Sequence, residues 1–240
     1  MLPCGFDVEP HEVYRFVAGN ILDFLHLARR DDEEFHRAVR VHGAVNMASA
    51  LSEGRGAVAV TAHYGAWELI PRAVRLLGHR VGVVGRKLSG GAADAMLCRL
   101  RAAPGVLVLD RGAGPRALVR ALRGNTAVGI LIDQDTTAVD SEFVEFFGLP
   151  ARTPVGPARL AIALSAPVVP LHAWRNERGG HEVQIEQPVD PGAFGGQGGA
   201  LELTKLLTAR IEAWIRSDPR QWVWFHERWC RRPPGSPGLR

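Results

Sequence analysis

Cysteine is scarce in this chain. Cys4, Cys98 and Cys230 lie far apart with no paired spacing, which argues against a zinc ribbon and a disulfide framework and suits a reducing compartment. Long apolar runs are missing too. No stretch reaches the ~18 uninterrupted apolar residues of a spanning helix, and the nearest candidate, Phe16 to Ala28, is broken by Asn20, Asp23 and His26. No basic segment followed by a clean apolar core opens the chain, so no signal peptide is expected. Two chemical signatures are absent as well. His63 has no following Glu-x-x-His of a zinc peptidase, and Gly54-Arg55-Gly56 and Gly112-Ala113-Gly114 are too short for a nucleotide-binding glycine fingerprint. There is no internal repeat, no long low-complexity tract and no convincing linker, so one domain over residues 1–240 is expected. Residues 1–52 read as N-terminal amphipathic helices and 53–240 as the α/β core.

What is present supports a folded protein. Hydrophobic residues make up 46 % of the 240 residues, enough for a sizeable core. The net charge of +4 is concentrated at one end. Residues 216–240 hold six arginines against Asp218 and Glu227, and a basic end favours an acidic partner or is a solvated tail.

Periodicity predicts the elements. Pro10 suits a first helical turn, and Val13, Phe16, Val17, Ile21, Phe24, Leu25 and Ala28 follow at helical spacing. That stripe either packs on the domain or dips into a bilayer surface. Asp31 to Glu34 begins a second helical stretch that runs to about Ser52. From there strands and helices alternate. Strands are expected at Val58–Ala62, Arg80–Gly85, Val106–Leu109, Ala127–Ile132 and Val168–Ala173, with Glu182–Glu186 as an edge strand. Helices fall between them at Trp67–Leu77, Ala92–Ala102, Pro115–Leu122 and Pro157–Leu164, and Leu201–Ile215 closes the series. Such alternation predicts an α/β fold: a mostly parallel central sheet with helices on both faces. Ser141 to Val155 reads as a long apolar connection, either lid-like or buried against the sheet.

The chemistry gathers at strand ends. Val58–Ala62 runs into His63, and Glu68 opens the next helix. A histidine can serve as base near neutral pH, and a carboxylate on its far nitrogen fixes the tautomer. Alone, a histidine and a glutamate five apart form a weak pattern, since a turn-capping histidine would look the same. The next strands end in Arg86 and in Asp133-Gln134-Asp135, and Arg152 follows in the apolar connection. An arginine there can bind phosphate or a developing oxyanion. Asp133 and Asp135 could instead hold a metal for a glycosyltransferase. His172 reads as a satisfied core or rim residue. Trp222, Trp224 and His226 read as one face of a strand closing the core, or as part of an interfacial belt.

Taken in order, several stretches resemble the lipid A late acyltransferases (lauroyl- and myristoyltransferase type) of the lysophospholipid acyltransferase superfamily. They are His63-Tyr64-Gly65-Ala66-Trp67-Glu68, Arg86, Gly129 to Asp135, Val144 to Gly148, Ala166 to Pro170, and Trp222 to Trp229 with the trailing Arg-Pro-Pro. The resemblance implies a glycerolipid-acyltransferase-like fold and O-acyl transfer from acyl carrier protein or acyl-CoA to a lipid hydroxyl. It implies His63 as base with Glu68 as its orienting partner, and Arg86 and Asp133 as site residues; with Gly65, Trp67 and Arg152 these two make up the expected substrate-binding set. Neither a metal nor a cofactor is expected, and nucleic acid is not a partner. The implied location is peripheral, on the cytoplasmic face of the inner membrane, with the acceptor in lipid A biosynthesis or, on the same fold, another glycolipid or a lysophospholipid. A non-catalytic lipid- or carrier-binding module is the competing class. Two departures stand out: Ala66 replaces the usual asparagine, and no hydrophobic anchor helix precedes the match.

Overall fold

The computed structural model describes residues 8–235 except 86–90, 103, 111, 113, 137 and 138. Seven strands form one sheet. Across it they run β1 (Val39–His42), β9 (His181–Ile185), β8 (Val168–Arg175), β2 (Ala57–Thr61), β5 (Thr126–Leu131), β3 (Arg80–Gly85) and β4 (Leu107–Asp110). The strands β8, β2, β5, β3 and β4 are parallel. β9 pairs antiparallel with β8 and parallel with β1, so these two strands point the other way.

Helices cover both faces, as alternation predicts. β2 is buried along its whole length. Ala57 and Ala59 face one layer, Val58 and Val60 the other, because side chains alternate along a strand. On the first face, α1 (Pro10–Leu27), α2 (Asp32–Ala38), α3 (Ala44–Leu51) and α4 (Ile70–Leu76) bring Phe24, Phe35, Met47 and Ile70 to the sheet, and α5 (Ala92–Ala102) adds Leu97 and Leu100. On the second, α6 (Pro115–Arg123), α7 (Gly156–Leu164) and α8 (Gly199–Ser217) contribute Leu122, Ala158 and Leu207. Each fully buried leucine of this kind contributes about 1.5–3 kcal/mol.

The structure departs from the sequence reading in three places. The helical stretch expected up to Ser52 is interrupted by β1, so the N-terminal part contributes a strand and not helices alone. β1 holds its place through Val39, which is buried, and through His42, whose Nε2 lies 2.7 Å from Glu182 Oε2. Consequently β9 is not an edge strand, since β1 covers it. The connection from Ser141 to Val155 is a hairpin, β6 (Ser141–Phe146) with β7 (Leu149–Pro154). Its two turn residues, Phe147 and Gly148, both have positive φ, 54° and 73°, as a tight twisted hairpin turn requires. A phenylalanine tolerates this because its backbone N–H donates to Glu212 Oε2 at 2.7 Å and its ring packs on Trp222, Trp224 and Trp229. The apolar density of this segment is therefore spent on packing.

Candidate active site

From β2 the chain winds out to β3 and β4. β5 then returns beside β2, and β8 goes to the other side. The winding reverses between β2 and β5, and ligands gather outside the carboxyl ends of strands at such a switch point. His63 lies just past β2 and Asp133 just past β5. They meet there: His63 Nδ1 is 2.9 Å from Asp133 Oδ1. The second carboxylate oxygen accepts the His63 backbone N–H at 2.9 Å and the Trp222 indole N–H at 2.8 Å. Asp133 is buried and fully engaged.

These contacts set the protonation of the pair. Burial alone would raise the Asp133 pKa. The charge of His63, the hydrogen bond to its ring, the Trp222 indole and the His63 amide together hold it at about 2, so the carboxylate stays ionised. For His63, burial disfavours the imidazolium, but the Asp133 charge and hydrogen bond outweigh it. Glu68 adds to the rise, Arg101 subtracts, and the net pKa lies above the ordinary histidine value. With Nδ1 held by the carboxylate, Nε2 is the ring nitrogen for proton exchange. Trp67, in the short 3₁₀ turn Trp67–Leu69, sets its ring edge against the imidazole with centroids 5.2 Å apart.

Glu68 does not hold the position expected of it. The same 3₁₀ turn carries it toward α5, where Arg101 Nε donates to Oε2 at 2.8 Å and Arg101 Nη2 donates to Oε1. The expected hydrogen bond from His63 to Glu68 is thus replaced by one to Asp133, and Glu68 reaches the ring as a neighbouring charge. Gly65 is buried and has φ 56°. A Cβ there would lie 1.9 Å from the Ala173 carbonyl oxygen of β8. This glycine is required for the loop to lie on the sheet. Arg86 lies outside the described residues. Arg152 Nη1 donates to the Thr136 carbonyl at 2.6 Å and stands 3.9 Å from Asp135 Oδ1, so it braces the loop after β5.

Asp135 has partners of its own. Its carboxylate meets Arg231 Nη1 at 2.6 Å and Cys230 Sγ at 3.2 Å, and its backbone N–H donates to His226 Nε2 at 2.9 Å. The two aspartates therefore serve different partners. Among the described residues no group of three His, Cys, Asp or Glu side chains is placed to hold a metal ion. The segment carrying Trp222, Trp224 and His226 is not a strand but a series of turns. It is tied to the loop after β2 by the Tyr64–Trp222 bridge and by the Val223 N–H donating to the His63 carbonyl at 3.3 Å. Trp222 does close the core, and it also donates to Asp133. That second role is legible only as a rule: a buried indole N–H needs an acceptor. His172 is not satisfied as expected. Its Nδ1 is buried without a partner.

Sheet and pair together define an α/β core, covered on both faces, with a histidine–aspartate pair at its switch point. The chain belongs to the bacterial lipid A biosynthesis acyltransferase family, whose profile matches residues 10–231. It is similar to a phosphatidylinositol mannoside acyltransferase of Mycobacterium tuberculosis, 30 % identical over 197 residues, which cover 79 % of this chain and 59 % of that protein. The corresponding protein of Mycolicibacterium smegmatis is 29 % identical over 188 residues, 75 % of this chain and 59 % of that one. The chain thus spans about three fifths of the length of these relatives. By structure it is similar to a 1-acyl-sn-glycerophosphate acyltransferase from Thermotoga maritima, at 16 % identity and a TM-score of 0.46, covering 88 % of this chain and 81 % of that chain.

Proposed function

We propose that this protein transfers a fatty acyl group from a thioester donor, acyl carrier protein or acyl-CoA, to a hydroxyl of a glycolipid. The observation that carries this reading is the 2.9 Å bond between His63 Nδ1 and Asp133 Oδ1. It leaves Nε2 to take the proton of the acceptor hydroxyl as that oxygen attacks the thioester carbonyl. The C–S bond then breaks, and the departing thiolate takes the proton back from the imidazolium. Asp133 stays ionised and stabilises the imidazolium. Neither a serine nor a cysteine nucleophile is needed, because the acceptor supplies the oxygen.

The relatives named for phosphatidylinositol mannoside favour a mannosylated phospholipid as acceptor over a lipid A precursor. An exposed apolar patch supports contact with a lipid surface. No helix among the described residues is long and apolar enough to cross a membrane. α1, however, presents a second, exposed apolar face through Tyr14, Ile21 and Leu22. Tyr14 stacks on exposed Phe225 with ring centroids 5.3 Å apart, and the apolar patch continues onto the loop that carries His226.

The test is incubation of the purified chain with palmitoyl-CoA or palmitoyl carrier protein and, in separate reactions, phosphatidylinositol mannoside, lysophosphatidate and a lipid A precursor, read by mass spectrometry. Acylation of the mannoside is expected. Transfer to lysophosphatidate or the lipid A precursor alone would overturn the acceptor. No transfer to any of them, with vesicle binding intact, would favour the binding-module reading.

A further inference from the structure

Asp133 has two oxygens with unequal duties. Oδ1 faces only the His63 ring among its hydrogen bonds, whereas Oδ2 accepts both the His63 amide and the Trp222 indole N–H. The indole cannot drift. Trp222 is buried, its ring packs edge-on against Phe146 and Trp224 at 5.6 and 4.7 Å, and its backbone bridges Tyr64. An asymmetric pattern of donors polarises a carboxylate. Each donor on Oδ2 draws negative charge toward that oxygen and away from the one that faces the imidazole. It also blocks rotation of the carboxylate, since turning it would strand a buried indole N–H.

Resting on the His63–Asp133 reading above, we infer that Trp222 is a positioning residue for acyl transfer: its indole N–H locks Asp133 with Oδ1 toward His63 and moderates how strongly the carboxylate holds the imidazolium. Too strong a hold would leave the base already protonated at neutral pH. The other charged and titratable groups around His63 are Glu68 after β2, Arg101 on α5, and His226, Arg228 and Asp135 from the segments that flank Asp133. None of them donates to Asp133 Oδ2 in the described structure.

The sign of the effect separates this role from simple packing. Loss of the indole donor concentrates charge on the oxygen that faces the ring, so the His63 titration moves upward. Trp222→Phe tests this, with 3-benzothienylalanine at position 222 as a second variant that keeps the bicyclic shape and removes only the N–H. The readouts are the acid limb of kcat/KM against pH and the His63 ring signals in an NMR pH titration. We expect the midpoint to rise by about half to one pH unit in both variants. Transfer at pH values below the midpoint then falls about three- to tenfold, recovers at alkaline pH, and leaves KM unchanged. An unmoved or lowered midpoint in the benzothienyl variant overturns the proposal, as does a loss equal at all pH values. The NMR titration does not depend on turnover. If His63→Ala retained full transfer, the base assignment would fall, while the titration would still report whether Trp222 governs the pair.

Discussion

His63, just past β2, and His172, on the neighbouring parallel strand β8, are both largely enclosed, yet they are prepared for opposite tasks. His172 has a ring stacked on Trp214 at 4.5 Å and a buried Nδ1 with no partner. Burial alone acts on it and lowers its pKa to about 4, so it is a neutral aromatic plate at any working pH. His63 suffers the same burial, but the Asp133 carboxylate at 2.9 Å reverses the outcome. Enclosure by itself makes an inert histidine. At His63, enclosure with the buried, ionised Asp133 makes one that can take up and return a proton.

The strongest way to break the contrast is to remove either half of the pair. His63→Ala should lower transfer by roughly 10²–10⁴-fold, the contribution of a positioned base, in the thioester assay above. Asp133→Asn should fall into the same range, and its residual activity should show a lowered acid limb, because burial is then opposed only by the more distant Glu68 charge. In the unaltered protein the base is neutral only above its raised pKa. kcat/KM should therefore be lost as pH falls through a midpoint above ~6.5.

Glu68→Gln sharpens the comparison at a smaller scale. Glu68 acts on His63 only as a charge already bound to Arg101, so the variant should show a slightly lowered midpoint and a change of a few-fold in transfer. A loss as large as that of Asp133→Asn would make Glu68, after all, the orienting carboxylate.

The smallest effect on activity belongs to His172→Phe, which should leave transfer unchanged. Its signature is in stability. Between ~6.5 and about 4 the unfolded chain takes up a proton at His172 that the native protein refuses, so native stability falls as pH falls through that window. By pH 5 the loss is on the order of 2 kcal/mol. Urea denaturation at pH 7 and pH 5 should show the variant losing less stability on acidification than its parent.

Much of the fold was legible because β2, β3, β5 and β8 are apolar runs set between helical patterns, and buried parallel strands read that way. β1 was not. Val39 to His42 is only four residues long, and its partner β9 lies about 140 residues away, so nothing local distinguishes it from a helix. The same limit applied at the site. His63 and Asp133 were each readable as strand-end residues, but they are 70 positions apart and meet only because β5 inserts beside β2. Glu68 was attractive because it is near in sequence. The turn at Trp67–Leu69 and the guanidinium of Arg101 send it elsewhere, and α5 carries no local mark of that contact. Arg86 was also singled out in the sequence and lies outside the described residues.

That Trp222 follows Asp133 by 89 positions has a consequence for the making of this protein. A ribosome will have delivered both members of the histidine–aspartate couple long before it releases the tryptophan that steadies them. Until that aromatic stretch threads back across the strand tips, the nascent chain carries its reactive groups unlatched.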